Sequence, residues 1–405
     1  MSAEQHQALP PELRGLAQRA QGFAERADWS AASLSWAELA DRAIELGRVD
    51  VARAGLHEAV EALRYDDRPG ACLSLLAKAI ELAEGRDARA VLKLQLGAAL
   101  LDSGFLELAE QETREAMALA ASGPLRLVVA DTLAGVLLAR GDVLALRGIV
   151  AQLLAESEGI TAVSAGFREA QLHRLEGRLD RARDGFTATC TALADHPRAA
   201  GPRATALSEL AELELLRQDS EAAMKLFQLA GQEWKRAGRK AGAYQVQAGV
   251  AQSVLESGAT YLPGLLDEPI AYAESRGLPA LEARLRMARG LCRHSAGSDA
   301  ADFDFEAAIL LADTARSPWL AGRIRYERHR CGLSADLQEL MRAVDQLTGN
   351  QPWYCRASLA LARASQRSNP AEAMRLAGRV LCRFSAMGLD DDRAAAEALI
   401  RQTMP

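Results

Sequence analysis

A pattern of small and large residues that returns along the chain constrains this protein more than any other feature. Its clearest copy begins at Trp36 and reads WAELADRAIELGRVDVARAGLHEAVEA. Trp36, Leu39, Ala40 and Ala43 follow the i, i+3, i+4, i+7 spacing that puts side chains on one face of a helix. Gly47 stops that helix, and Asp50 is placed to cap the next. Ala52, Leu56 and Ala59 make the inner face of a second helix. The small residues at 40, 52 and 59 let two helices approach closely, so the unit predicted is a helical hairpin.

The hairpin recurs. Leu96, Gly97 and Leu100 precede Gly104, and Ala109, Thr113 and Ala116 follow it. Leu133, Ala134 and Leu137 precede Gly141. Ala170 and His173 precede Gly177, with Ala182 and Phe186 after it. Leu210 and Ala211 precede Gln218, with Ala223, Phe227 and Ala230 after it, and here the turn glycine is missing. Turn positions 104, 141, 177, 218 and 258 stand 36 to 41 residues apart. A bulky residue, Leu and a small residue, a Gly turn, then small, large, small resembles the tetratricopeptide (TPR) repeat, whose period is about 34 residues. The resemblance implies an all-α fold, a right-handed superhelix of about nine TPR-like hairpins with terminal capping helices, that is, an α-solenoid. Another kind of α-solenoid, or a large helical bundle, is the alternative. Later hairpins are expected around Leu281–Asp313, Trp319–Leu347 and Tyr354–Met387, with an extra helix at Gly70–Ala83. The expected organisation is a leading cap over 1–32, one continuous array over 33–387 and a capping helix over 388–405.

Composition agrees with helices. Of 405 residues, 49% are hydrophobic, 25% charged and only 5% aromatic, which excludes disorder and an all-β sandwich. The 48 basic and 54 acidic residues leave a net charge of −6, against the basic excess of a free-standing nucleic-acid binder. Only five basic residues are Lys, and so Arg- and Ala-rich a chain fits a GC-rich bacterial genome. The most apolar stretch, Arg126–Ala155, is interrupted by Asp131, Arg140, Asp142 and Arg147, whereas a membrane span needs about 20 mostly apolar residues. The start, MSAEQHQALPPEL, lacks the basic and apolar runs of a signal peptide. The six Cys form no CxxC pair and read as small hydrophobes in a reducing cytoplasm.

No Walker loop, GxGxxG, HExxH or GxSxG motif occurs, so neither catalysis nor a cofactor is expected. Cys292 and His294, with His329 and Cys331, are zinc-ligand types. Residues two apart on a helix point about 200° apart, so no metal site is expected from them. The remaining signal is electrostatic. In a TPR-like stack the first helix of each hairpin lines a concave groove, and the resemblance implies which positions face it. Asp41, Glu45, Asp102, Asp131 and, later, Glu212 fall there and form an acidic end. Arg286, Arg289 and Arg293 share a stripe by i, i+3, i+7 spacing; Arg323, Tyr326 and Arg330 share another, with His329 beside it. These form a basic end suited to carboxylate or phosphate, because the planar guanidinium donates in pairs. Glu282 and Arg286 also stand as an ordinary i, i+4 pair. Leu94, Leu101, Leu138 and Leu215 are the apolar groove positions.

The resemblance implies a non-enzymatic interaction scaffold or adaptor that binds a partner segment in its groove. The only two Asn, Asn350 and Asn369, lie outside the groove positions, so the Lys and Asn clamp of chaperone-tail-binding TPR modules is missing. The alternative is a regulatory sensor whose groove binds a small peptide or ligand, similar to signalling-peptide receptors. The 32 residues before the first repeat leave no room there for an effector module. A nucleic-acid-binding solenoid rests on the Arg stripes alone and predicts steep salt dependence. The partner expected is a protein or peptide, not nucleic acid and not a membrane.

Overall fold

The computed structural model describes residues 9–196 and 199–404; His6 lies outside them. Among the described residues there are 21 α-helices, one short 3-10 turn at Pro263–Leu266 and no strand. In chain order they begin with α1 (Pro11–Glu25), α2 (Trp29–Glu45), α3 (Val49–Tyr65), α4 (Pro69–Glu81), α5 (Arg86–Asp102), α6 (Leu106–Leu119) and α7 (Gly123–Arg140). They continue with α8 (Val143–Glu156), α9 (Ile160–Leu175), α10 (Leu179–Ala192), α11 (Ala200–Leu216), α12 (Ser220–Arg236), α13 (Lys240–Glu256) and α14 (Asp267–Arg276). The last are α15 (Pro279–Ser295), α16 (Ala301–Thr314), α17 (Pro318–Arg330), α18 (Leu337–Gln346), α19 (Gln351–Ser365), α20 (Pro370–Met387) and α21 (Asp390–Thr403). The architecture is all-α and TPR-like, with successive helices packed as hairpins. No described helix is long and apolar enough to cross a membrane.

Local chemistry sets the helix boundaries. The carboxylates of Asp28, Asp142 and Asp219 each accept from the backbone N–H three residues on, which satisfies an orphan donor of α2, α8 and α12. Gly47 takes φ +69°, and the Arg48 N–H reaches back to the Ala43 carbonyl at 2.8 Å, closing α2 as a left-handed turn. Asp50 does not cap α3 as expected. Arg48 holds the cap position, and Asp50 lies in the first turn paired with the Arg48 guanidinium at 3.1 Å. Gln218, where the glycine is missing, adopts the same geometry with φ +62°, and the Asp219 N–H bonds the Glu214 carbonyl at 3.0 Å. The small-residue positions are needed for packing. A Cβ on Gly97 of α5 would stand 2.4 Å from Thr113 Oγ1 and 3.2 Å from the Ala109 carbonyl oxygen of α6.

The chain forms two compact units. The first runs to Val136 and includes Glu274–Leu278; the second holds Leu137–Ala273 and everything from Pro279 on. In the first, Leu13, Ala17 and Ala20 of α1 pack with Ala32, Trp36, Leu39 and Ala43 of α2 and Ala52 and Ala59 of α3. Its Arg276 pairs with Asp66 at 2.7 Å. A cavity of about 100 Å³ opens among α3, α4 and α5, beside Leu56, Val60, Leu76 and Leu92.

The second unit does more than stack neighbours. Phe186, Phe227, Phe305 and Phe384, each 2% exposed or less, fill the hairpins of α9/α10, α11/α12, α15/α16 and α19/α20. One core then joins helices far apart in sequence: Ala170, Phe186, Leu210 and Leu213 cluster with Cys355, Leu359, Phe384, Met387 and Leu399. The Arg356 guanidinium donates to the Leu216 carbonyl at 2.8 Å, and Met387 presses on the Gly177 turn. Trp319 lies against the Gly141 turn. Helices α19–α21 therefore return to α9–α11, whereas a simple solenoid makes only nearest-neighbour contacts.

Candidate functional site

Within the second unit, the first helices α9, α11, α13, α15, α17 and α19 contact one another in series and make one continuous layer. Charged side chains gather on it. Arg174 of α9 pairs with Glu209 of α11 at 3.2 Å, and Glu209 also accepts from Gln171 at 2.9 Å. Arg323 of α17 donates to Glu212 of α11 at 3.1 Å and to the side-chain carbonyl of Gln252 on α13 at 2.7 Å. Its guanidinium lies 4.5 Å from the centre of the Trp353 ring on α19. Tyr326 meets the same indole edge-on at 5.9 Å. Arg356 crosses the ring at 5.3 Å and is fixed by Asp392 at 2.8 Å.

The electrostatics follow from crowding. Burial pushes the Glu212 carboxyl up, but the guanidinium groups of Arg323, Arg284 and Arg174 outweigh it and hold it below its ordinary value. Burial pushes Arg284 down, and its neighbours Arg323 and Arg174 add to that, against Glu212 and Glu209. Burial also lifts the Tyr326 hydroxyl to about 12, so it stays a neutral donor. Glu212 nevertheless retains 25% side-chain exposure, so the face is recessed yet reachable by solvent.

The structure separates some expected site residues and joins others. Glu212 and Arg323, expected at opposite ends of a groove, form an ion pair; the division into an acidic and a basic end is corrected for this pair because α11 and α17 approach across the layer. Arg323 and Tyr326 stand together on Trp353 as their shared stripe predicts. Arg330 follows on the same helix and pairs with the buried Glu327 at 2.7 Å, which raises its basicity. The Nδ1 of His329 is buried without a hydrogen-bond partner. The stripe Arg286, Arg289 and Arg293 is engaged inside its own hairpin region. Arg286 pairs with Glu282 at 2.6 Å, while Arg289 and Arg293 converge on Asp304 of α16 at 2.6 and 2.8 Å, with Asp267 also on Arg289 at 2.6 Å. Asp41, Glu45, Asp102 and Asp131 belong to the first unit. There Asp41 pairs with Lys78 at 3.0 Å, Glu45 with Arg42 at 2.5 Å, and Asp102 and Asp131 are each engaged within the chain. Leu215 is 4% exposed in a core with Phe227 and Val246, so it packs the fold instead of facing a groove.

Sequence reasoning missed Arg284, Arg174, Gln252 and Trp353. At about 100° per residue, Arg284 lies some 200° around α15 from Arg286 and half a turn from Arg293. Choosing the stripe richest in Arg therefore selected the opposite face of the helix. The available signal was indirect: Arg289 and Arg293 of the stripe have Asp304 within reach on the paired helix α16 and Arg286 has Glu282 on its own helix, whereas Arg284 has neither.

No protein-family model matches the chain, and no curated protein matches it by sequence. Among solved structures, the chain is similar to a Rap protein crystallised with competence and sporulation factor, at 12% identity and a TM-score of 0.49, over 78% of this chain and 98% of that one. It is also similar to the apo form of RapI, at 11% identity and a TM-score of 0.43, over 78% and 97%. The apo form of the quorum sensor NprR from B. thuringiensis matches at 12% identity and a TM-score of 0.40, over 77% and 98%.

Proposed function

We propose that this chain is a non-enzymatic peptide-binding protein whose second unit takes a short segment on the layer made by α9, α11, α13, α15, α17 and α19. One observation carries this reading: successive first helices bring Arg174, Glu212, Arg284 and Arg323 onto one recessed, solvent-reachable face, backed by the buried Gln252 and Trp353. Guanidinium groups beside a carboxylate offer directional donors and an acceptor together, which is what an extended peptide backbone needs for register. Nothing in the set pairs a nucleophile with a base, so binding is the chemistry it supports. The Arg-rich composition and the unpaired cysteines fit a bacterial cytoplasm.

Adaptor and sensor differ in the size of what binds. The return of α19–α21 onto α9–α11 closes the second unit on itself, which favours a short ligand over a long partner helix and thus the sensor. Affinity selection from a degenerate pool of short peptides, read by mass spectrometry, tests the reading. Wild-type protein is expected to enrich a defined sequence family, and Glu212→Gln, which keeps the shape of the side chain, to lose it. No enrichment by the wild type, or equal enrichment by both, would overturn it.

A further inference from the structure

Among the described residues, Arg284 is the recessed guanidinium of this charged cluster that no group of the protein holds. It is half-buried in the middle of α15, and among the described residues no hydrogen bond or ion pair satisfies any of its five N–H donors. Its neighbours differ. Arg174 has Glu209 and Arg323 has Glu212, each within ion-pair distance. Nε of Arg323 is buried without a hydrogen-bond partner, while Nε of Arg174 is the atom that faces Glu209 at 3.2 Å. Glu209 and Glu212 are thus taken by Arg174 and Arg323, and Arg284 is left without a carboxylate at ion-pair distance.

A recessed charge without a partner is costly, and a fold retains one where a ligand supplies the missing group. The geometry points to Arg284 as the anchor for a carboxylate carried by the ligand. The inference rests on the peptide-binding reading and adds the chemical class that the peptide presents. A carboxylate matches the planar fork with two parallel bonds. One negative charge is enough for one guanidinium, whereas a phosphate dianion would bring a second negative charge beside Glu209 and Glu212 and be repelled. The carboxylate has two sources, a free C-terminus or an Asp or Glu side chain.

Arg284→Gln provides the test, because a structural arginine and a ligand-holding one respond oppositely. The unliganded variant is expected to unfold at the same temperature as wild type or higher, since an unmatched recessed charge is removed. A lower midpoint means that Arg284 supports the fold, and overturns the inference. Acetate tests the site without any peptide. At equal ionic strength, replacing chloride by acetate is expected to raise the wild-type midpoint by about 2 °C and to leave Arg284→Gln unmoved. An equal response of the two proteins, or a larger wild-type rise in phosphate than in acetate, overturns the assignment.

Peptide pools then identify the source. Loss of enrichment when every peptide carries a C-terminal amide assigns the carboxylate to the C-terminus. Enrichment that survives amidation but requires Asp or Glu assigns it to a side chain. If Arg284→Gln enriches the same sequences as wild type, the carboxylate anchor fails while peptide binding stands. If the acetate response appears without any peptide enrichment, the anchor stands and the peptide reading fails.

Discussion

Asp304 is 2% exposed and accepts from both Arg289 and Arg293, with a two-pronged contact to the first. In sequence those arginines look like a free basic stripe, because periodicity reports which residues share a face and not what that face meets. Removing one member of such a buried set leaves the others uncompensated. Asp304→Asn is therefore expected to cost about 3 kcal/mol of stability in urea unfolding, while Arg286→Ala, which breaks a helical i, i+4 pair, costs about 0.5 kcal/mol. Equal small losses in both would show that the Asp304 cluster is no more than a surface ion pair. Arg284 illustrates the same point from the other side. Its neighbours on the helix gave no hint of its role, and its surroundings come from α9, α11 and α17.

Elements were the most legible scale. The turn positions predicted from Gly47, Gly104, Gly141, Gly177 and Gly258 all have positive φ, because each sits where a helix ends and only a left-handed residue lets the chain reverse. Gln218 shows that the position matters more than the residue: the turn forms with φ +62° although a side chain resists it. Gln218→Gly is accordingly expected to stabilise the second unit by about 1 kcal/mol, seen as a higher midpoint in thermal unfolding. No gain would mean that the Gln218 side chain compensates the strain in contacts of its own. The helix α14 and the 3-10 turn before it were not foreseen, since this segment interrupts the hairpin pattern with Pro263 and Pro269. Asp50 was misread by two residues as a cap, which is the ordinary uncertainty of a helix start.

For the whole molecule, the decisive contacts are those that skip repeats. A chain stopped after Gly349 lacks α19–α21 and with them most of the buried residues of the core shared with α9–α11. In a stack held only by neighbours, such a truncation would loosen α17 and α18 and leave α9–α11 intact. Here, hydrogen exchange is expected to speed up in α9–α11 as well, in a segment more than a hundred residues away along the chain. Unchanged protection there would mean that the shared core contributes little.

The sequence by itself determined the all-α class, the hairpin unit and the chain reversals at 47, 104, 141, 177, 218 and 258, because these depend on residues within one or two turns of each other. Helical spacing, caps and left-handed turn positions are local, and local rules can be read from a string. Only the tertiary structure decided that Glu212 meets Arg323, that the Asp304 hairpin takes up the richest Arg stripe, and that Arg284 is left without a partner. Those outcomes depend on which helices meet after the chain has folded back over a hundred residues. A repeat that looks alike at every copy carries no information about that choice.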